Sequence, residues 1–337
     1  MRTCATIQKR KRNHYYRFER RGRAMKKAAV GIDIGGTHVK SGLIAADGEI
    51  LERQSTPTEA SGGKPGLLSK LVEIVRGYER IASERKLELA GVGIGTAGYV
   101  NLQGVIGSAT DNLPGWQGTS LREELELGGD LPVYVDNDVN ALALGESWLG
   151  AGRGRDGFLC LALGTGIGGC FIAGGRPYRG RNGYAGAYGH QIVAMGGQPC
   201  TCGLRGCWEQ YASVTALRRM AAEQAAGREW SSSPEELFAA ARSGVEEAVR
   251  IVDRYAEWIA IGTANLIHGF NPTAVIIGGA VTAQGEFLFE RIRKHVRGHT
   301  LHGFANDPEL EIVPAALGNM AGTVGAAKLV WDGVGAE

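Results

Sequence analysis

The chain repeats one unusual unit. Residues Ala28 to Ile34 read as a buried strand that breaks at Gly35-Gly36-Thr37, resumes as a second strand to Ile44 and turns at Asp47-Gly48 into a third at Glu49 to Arg53. Asp-Gly between apolar runs is a strong hairpin signal. About 130 residues later the unit recurs as strand FLCLAL, a break at Gly164-Thr165-Gly166, strand GGCFIAG and a turn at Gly174-Gly175. Such a recurrence predicts an internal duplication, with two related domains that each present one glycine turn to a ligand. The 53 glycines among 337 residues are about twice the usual share and cluster after apolar runs, where backbone approaches a ligand closely.

Between and after these units the pattern alternates. Pro65 to Lys86 carries helical apolar spacing, Gly91 to Thr96 and Pro132 to Val135 read as strands, and Val139 to Leu149 reads as a helix. The second half turns helical after Tyr211, with Ser233-Pro234-Glu235-Glu236 as a capped helix start and a long periodic stretch from Val245 to His268 that stops at Asn271-Pro272. Strand AVIIGG, a helix, a strand and a closing helix over Ala315 to Val330 complete an α/β protein with mixed sheets.

Composition excludes disorder, a collagen-like chain and a membrane span, since 44% of residues are hydrophobic and no uninterrupted apolar run reaches about 18. No secretory signal is visible, so the expected compartment is the cytoplasm. The net charge of +2 hides a basic arm: residues 1–24 hold nine Lys/Arg and one acid, Glu19, leaving 28 basic against 34 acidic residues in the body. The arm is expected to be a disordered tail or a start assigned too early, with Met25 as the natural beginning. Neither nucleic acid nor membrane is expected as a partner.

Gly164 to Gly169 spells G-x-G-x-x-G after a strand. The dinucleotide fingerprint must open a helix, whereas Gly169-Cys170-Phe171-Ile172 is β-prone, so the match is a coincidence of spelling. Asp33 with Gly35, Gly36 and Thr37 can instead cradle phosphate oxygens and hold a magnesium ion, and Gly164, Thr165 and Gly166 echo that arrangement; an ordinary tight turn is the alternative at each. Cys200, Cys202 and Cys207 with His190 make one imidazole and three thiols, a closed tetrahedral set suited to structural zinc, with a disulfide as the alternative that a reducing compartment disfavours. Cys4, Cys160 and Cys170 have no ligand spacing.

DIGGT at 33–37, NLPGW at 112–116, NDVNALALGE at 137–146, LGTGIGG at 163–169, the GH and C-x-C-G-x-x-G-C-x-E pattern at 189–209, and LGNMAGTVGAA at 317–327 together resemble the ROK (repressor, open reading frame, kinase) family from Met25 onward. The resemblance implies an actin-like, hexokinase-type (ribonuclease H-like) two-domain ATPase fold: a small domain of 25–137 plus 316–337, and a large domain of 138–315 holding the zinc site. It implies ATP- and Mg2+-dependent phosphoryl transfer to a hexose, foremost the 6-hydroxyl of glucose, then N-acetylmannosamine, N-acetylglucosamine, fructose or allose. A non-catalytic sugar sensor or repressor is the alternative from another class. By the same resemblance Asp138 is the general base, although an Asn-Asp pair before a helix is by itself a common N-cap. Asn112, Asn137, Asp138, His190 and Glu209 read the sugar, Gly278 and Gly279 admit the adenosine, His190 with Cys200, Cys202 and Cys207 holds Zn2+, and the assembly is a homodimer or homotetramer. One departure stands out: the family pattern A-G-E-x-G-H is Ala185-Gly186-Ala187-Tyr188-Gly189-His190 here, so Ala187 replaces a sugar-binding glutamate. Either glucose binds weakly, Tyr188 or a water substitutes, or another hexose is the substrate.

Overall fold

The computed structural model describes residues 25–59, 62–108, 113–126 and 131–335, so the basic arm with Cys4, and Asn112, lie outside the described residues. Strands β1 (Lys27–Ile34), β2 (His38–Ala45) and β3 (Ile50–Pro57) form an antiparallel meander whose β2–β3 turn uses Gly48 at φ 90°. Helix α1 (Gly63–Arg85) returns the chain to β4 (Glu88–Thr96), parallel to β1. The short ribbon β5 (Tyr99–Val100) and β6 (Ile106–Ser108) and helix α2 (Leu121–Glu126) precede β7 (Val133–Asn137), which runs without a break into α3 (Asp138–Leu149).

The second half repeats the plan. Strands β8 (Phe158–Leu163), β9 (Ile167–Ala173) and β10 (Arg176–Pro177) form the second meander, followed by helices α4 (Glu209–Ala212), α5 (Val214–Gln224), α6 (Pro234–Arg242) and α7 (Glu246–Phe270). Strand β11 (Ala274–Gly278), helices α8 (Glu286–His299) and α9 (His302–Ala305), strand β12 (Glu311–Pro314) and helix α10 (Ala321–Val334) complete it. The sheet orders β3-β2-β1-β4-β7 and β10-β9-β8-β11-β12 are one topology used twice, which is the duplication the twin glycine turns predict. Strand β9 begins at Ile167, so the G-x-G-x-x-G run enters a strand and not a helix.

Period-two alternation sends β8, β9, β11 and β12 of the second sheet to two cores. Leu159, Leu161, Leu163, Val275 and Ile277 pack under α7, whose Ile251, Tyr255 and Ile259 are fully buried. Phe158, Cys160, Cys170, Ile172 and Ile276 face the opposite way, onto Val139 and Ala143 of α3. Each such aliphatic side chain contributes about 1.5–3 kcal/mol by leaving water. In the first sheet Val30, Ile32 and Ile94 cluster with Leu67, Leu71, Ile74 and Tyr78 of α1.

Helices α3 and α10 lie between the two sheets. They cross where Gly145 meets the Ala321 carbonyl and Gly325 meets the Ala141 carbonyl, so closely that a Cβ at either glycine would overlap backbone. The closing helix begins at Ala321, six residues later than its periodicity suggests, because Ala315, Ala316 and Leu317 are held by other partners: Ala315 N donates to Ile277 O, while Ala316 N and Leu317 N donate to the buried Glu146 carboxylate at 3.0 and 2.8 Å. Ser233 caps α6 as its sequence predicts, accepting from Glu236 N at 3.2 Å, and α7 ends at Asn271 in the left-handed region immediately before Pro272.

Candidate active site

The C-terminal ends of β1, β4 and β7 lie side by side. Strand register aligns Asp33, Gly95 and Asp136 in one row and Ile34, Thr96 and Asn137 in the next. Gly95 carries no side chain between the two acids, and a Cβ there would lie 3.5 Å from Cα of Asp138 and 2.9 Å from Cβ of Ala141. The strand-to-helix junction at 137/138 separates two roles that the Asn-Asp pair leaves open. Asn137 is the N-cap of α3, its Oδ1 accepting from Val139 N at 2.9 Å and Asn140 N at 3.3 Å, while its Nδ2 donates to Gly98 O and to Asp138 Oδ1, both at 2.8 Å.

Asp138 stands in the first helical turn. Its Oδ1 also accepts from Val139 N at 2.9 Å, and its Oδ2 has no hydrogen-bond partner among the described residues. Burial pushes the carboxyl from 3.8 to about 7; the Asp33 charge adds to the rise, and the hydrogen bonds from Val139 and Asn137 oppose it. Asp33 is itself raised by burial against the pull of Lys40. The first turn of α10 sits on this acid, since a Cβ on Gly322 would come within 2.6 Å of Asp33 Oδ2.

The two glycine turns are each fastened from behind. Gly35 N donates to His38 O at 3.0 Å, and Thr58 grips the same turn through Oγ1 to Gly35 O at 2.7 Å and N to Thr37 O at 2.9 Å. Gly36, Thr37 and His38 remain exposed. In the second turn Gly164 N donates to Gly166 O at 3.0 Å, and the start of α5 holds it through Val214 N to Gly164 O at 2.9 Å and Thr215 Oγ1 to Thr165 O at 2.8 Å. Gly166 lies against Glu209, with a Cβ position 2.7 Å from Oε2, and Gly279 lies on the backbone of Leu163. The second turn, the end of β11 and Glu209 are therefore neighbours.

Residues 191–208 fold back on themselves through the bridges Ile192 with Cys207 and Pro199 with Arg205. This gathers a ring nitrogen of His190 and the thiols of Cys200, Cys202 and Cys207 within 4.8 Å of one another. The Cys202–Cys207 Sγ separation is 3.6 Å and Cys200 Sγ lies 3.8 Å from His190 Nδ1. A zinc ion about 2.3 Å from each sulfur in tetrahedral geometry spaces its ligands by about 3.8 Å, so the four residues fit zinc, and all three thiols are free of disulfides. Trp208, fully buried, roots the loop by donating Nε1 to Trp258 O at 2.7 Å. Glu209 follows at once, its Oε1 3.1 Å from Cys200 Sγ and 3.7 Å from His190 Nδ1.

The first sheet thus gathers Asp33, Gly35, Gly36, Thr37, Asn137 and Asp138 at the ends of its strands, the second half gathers Gly164, Thr165, Gly166, His190, Glu209, Gly278 and Gly279, and the two groups adjoin where Val139, next to Asp138, packs on Gly168. Tyr99 of the β5 ribbon reaches across: burial raises its hydroxyl pKa, with the Glu209 charge as the next cause, and its ring lies 5.6 Å from that of Tyr184. Tyr188 is not available as a substitute for the missing glutamate. Its ring packs on Gly169 and, at 5.6 Å, on Phe270 in the second core, while Ala187 is exposed. Sequence reasoning overlooked Glu146, although it closes the 137–146 motif: a fully buried carboxylate in a helix interior implies several donors, here Ala151 N, Ala316 N and Leu317 N. Among the described residues no helix is long and apolar enough to cross a membrane.

Comparison with known proteins finds relatives over most of the chain. The family model described as ROK matches residues 29–332. Glucokinase of Thermotoga maritima is 36% identical over 91% of this chain and 98% of its own length. A xylose repressor of Caldicellulosiruptor bescii is 30% identical over 79% of this chain and 69% of its own length. Among solved structures, a ROK family glucokinase from Streptomyces griseus in complex with glucose and AMPPNP superposes with a TM-score of 0.78 at 37% identity, covering 90% of this chain and 99% of that one. A putative N-acetylmannosamine kinase from Listeria monocytogenes gives 0.74 at 30% identity, covering 92% and 100%.

Proposed function

This chain belongs to the ROK family and stands with its sugar kinases, and we propose that it is a cytoplasmic glucokinase that transfers the γ-phosphoryl group of ATP to the 6-hydroxyl of glucose with Asp138 as general base. One observation carries the reading: a carboxyl with a pKa of about 7 is held at the strand-to-helix junction beside Asp33, with one oxygen tied to donors and the other free among the described residues. A base poised near neutrality is ionised in about half of the molecules at pH 7 and in most of them just above it, yet is basic enough to take the proton of a sugar hydroxyl as the phosphorus–oxygen bond forms.

The remaining residues position the partners. The turns at 35–37 and 164–166 cradle the triphosphate, and Gly278 and Gly279 leave room for the adenosine beside them. Mg2+ would be held at Asp33 and would neutralise phosphate charge. Asn137, His190 and Glu209 orient the sugar, joined by Asn112, and His190 can do so through Nε2 because Nδ1 faces the thiols. Zn2+ would be held by His190, Cys200, Cys202 and Cys207 as a closed crosslink that fixes the loop carrying Glu209. The two lobes meet at 137/138 and 315/316, and the active assembly is a dimer or tetramer of this chain.

Ala187 favours a second reading, a kinase for an N-acetylhexosamine or another hexose. An ATP-consumption assay across glucose, mannose, fructose, allose, N-acetylglucosamine and N-acetylmannosamine decides between them. Glucose as the preferred substrate, with Asp138→Asn inactive, is the expected result; no turnover of any sugar would overturn the enzymatic reading.

A further inference from the structure

Directly behind the Asn137-Asp138 junction lies an ion pair that the proposed chemistry does not use. Asp136, near the end of β7, is 3% exposed and accepts four hydrogen bonds: Asn137 N and Asn140 Nδ2 at 2.8 Å on Oδ1, and Arg179 Nε at 3.0 Å together with Arg179 Nη2 on Oδ2. The partners come from both sheets, because Asp136 is the penultimate residue of β7 in the first and Arg179 follows β10 of the second.

Arg179 is also the knot of its own loop. Its carbonyl accepts from Gly183 N at 3.1 Å and Ala185 N at 3.2 Å, closing residues 179–185 into a compact turn. That turn is seated on the first lobe. Gly183, at φ 97°, lies on the backbone of Val100 and Asn101 where a Cβ would not fit, and Tyr184 fills the space beside Gly107. Five residues beyond Ala185 comes His190, whose Nδ1 belongs to the thiol cluster.

We propose that Arg179 is a positioning residue for phosphoryl transfer: its guanidinium fork on Asp136 fixes the Asn137-Asp138 junction in register with the loop that leads to His190 and the sugar seat. The inference rests on the reading of Asp138 as base. The fork is what matters, since two donors on one oxygen of a carboxylate set both distance and orientation, which a lysine point charge cannot do. Asp136 passes that orientation on, because its other oxygen holds the backbone amide of Asn137 and the side chain of Asn140. Reacting groups displaced by about 1 Å lose on the order of 10²-fold in rate. Among the described residues no hydrogen bond or ion pair joins this pair to the turns at 35–37 and 164–166, so ATP recognition is expected to be independent of it.

The test is steady-state kinetics of Arg179→Ala, Arg179→Lys, Asp136→Asn and the Asp136→Asn/Arg179→Ala double variant, on full-length protein, with thermal midpoint and zinc content measured for each. Arg179→Ala is expected to lower kcat/KM for glucose by about 10²-fold while leaving KM for ATP within about twofold. Arg179→Lys is expected to recover only part of the loss, and the double variant to be no worse than the poorer single one. Arg179→Lys, which keeps the charge, guards against a variant that fails to fold. Either of two results overturns the inference: folded Arg179 variants with parental kcat and glucose KM, or equal losses for glucose and ATP that follow the thermal midpoint. Asp138→Asn separates the two proposals. Should it remain active, the base assignment fails and this inference with it; should it be inactive while the Arg179 variants match the parent, the positioning role alone fails.

Discussion

Replacing Asp138 by Asn is expected to abolish phosphoryl transfer and, at the same time, to stabilise the protein above neutral pH. The carboxyl is raised from 3.8 to about 7, first by burial and then by the Asp33 charge. The folded state therefore binds a proton that the unfolded chain has already released between pH 4 and 7. Stability from this group is fully present below about pH 4 and is lost as pH rises through 7. A rise of that size corresponds to about 4 kcal/mol once the group is ionised. Asparagine keeps an oxygen for the donors at Asn137 Nδ2 and Val139 N but carries no charge. Urea unfolding at pH 4.5, 6, 7 and 8 in magnesium-free buffer should show the variant and parent nearly equal at the lowest pH, with the variant ahead by a margin approaching about 4 kcal/mol at pH 8. Parallel stability curves for the two proteins would refute the reasoning, because they would mean that Asp138 is not desolvated.

Activity of the parent is expected to fall on the acid side with a midpoint near pH 7, as protonation removes the base; a kcat/KM profile flat down to pH 5 would exclude Asp138 from that role. Metal analysis should find one zinc per chain, and Cys202→Ser should lower zinc content, thermal midpoint and glucose affinity together, since the loop ends at Glu209; an unchanged midpoint in the zinc-free protein would remove the structural role. Ala187→Glu adds a charged acceptor worth about 1.5–3 kcal/mol, so kcat/KM for glucose should rise about 10- to 100-fold, and no gain would point to a different sugar. Gly325→Ala forces a Cβ into the Ala141 carbonyl at the α3–α10 crossing and should cost about 1–3 kcal/mol of stability, read as a lower thermal midpoint.

Much of this protein is visible in local sequence. The meanders, α1, α3, α6 and α7 follow from apolar spacing and caps that act within a few residues, and Ser233 and Asn271 stop or start helices where their chemistry dictates. The cluster of His190, Cys200, Cys202 and Cys207 is legible because its three cysteines fall within eight residues. Other features depend on partners distant in sequence. Tyr188 looks free to replace the absent glutamate, yet Phe270 and the bare backbone of Gly169 draw its ring into the core. Nothing local pairs Asp136 with Arg179, 43 residues away, or Glu146 with Leu317, 171 away.

The elements, their repetition, the chemical character of each turn and the family can all be read locally, because periodicity, glycine conformation and ligand spacing are short-range properties. Long-range packing settles which carboxylates lose water and which elements from distant parts of the chain become neighbours. Those outcomes depend on how two sheets are held against α3 and α10, and desolvation and charge coupling are set by everything that packs around a group, whatever its place in the chain.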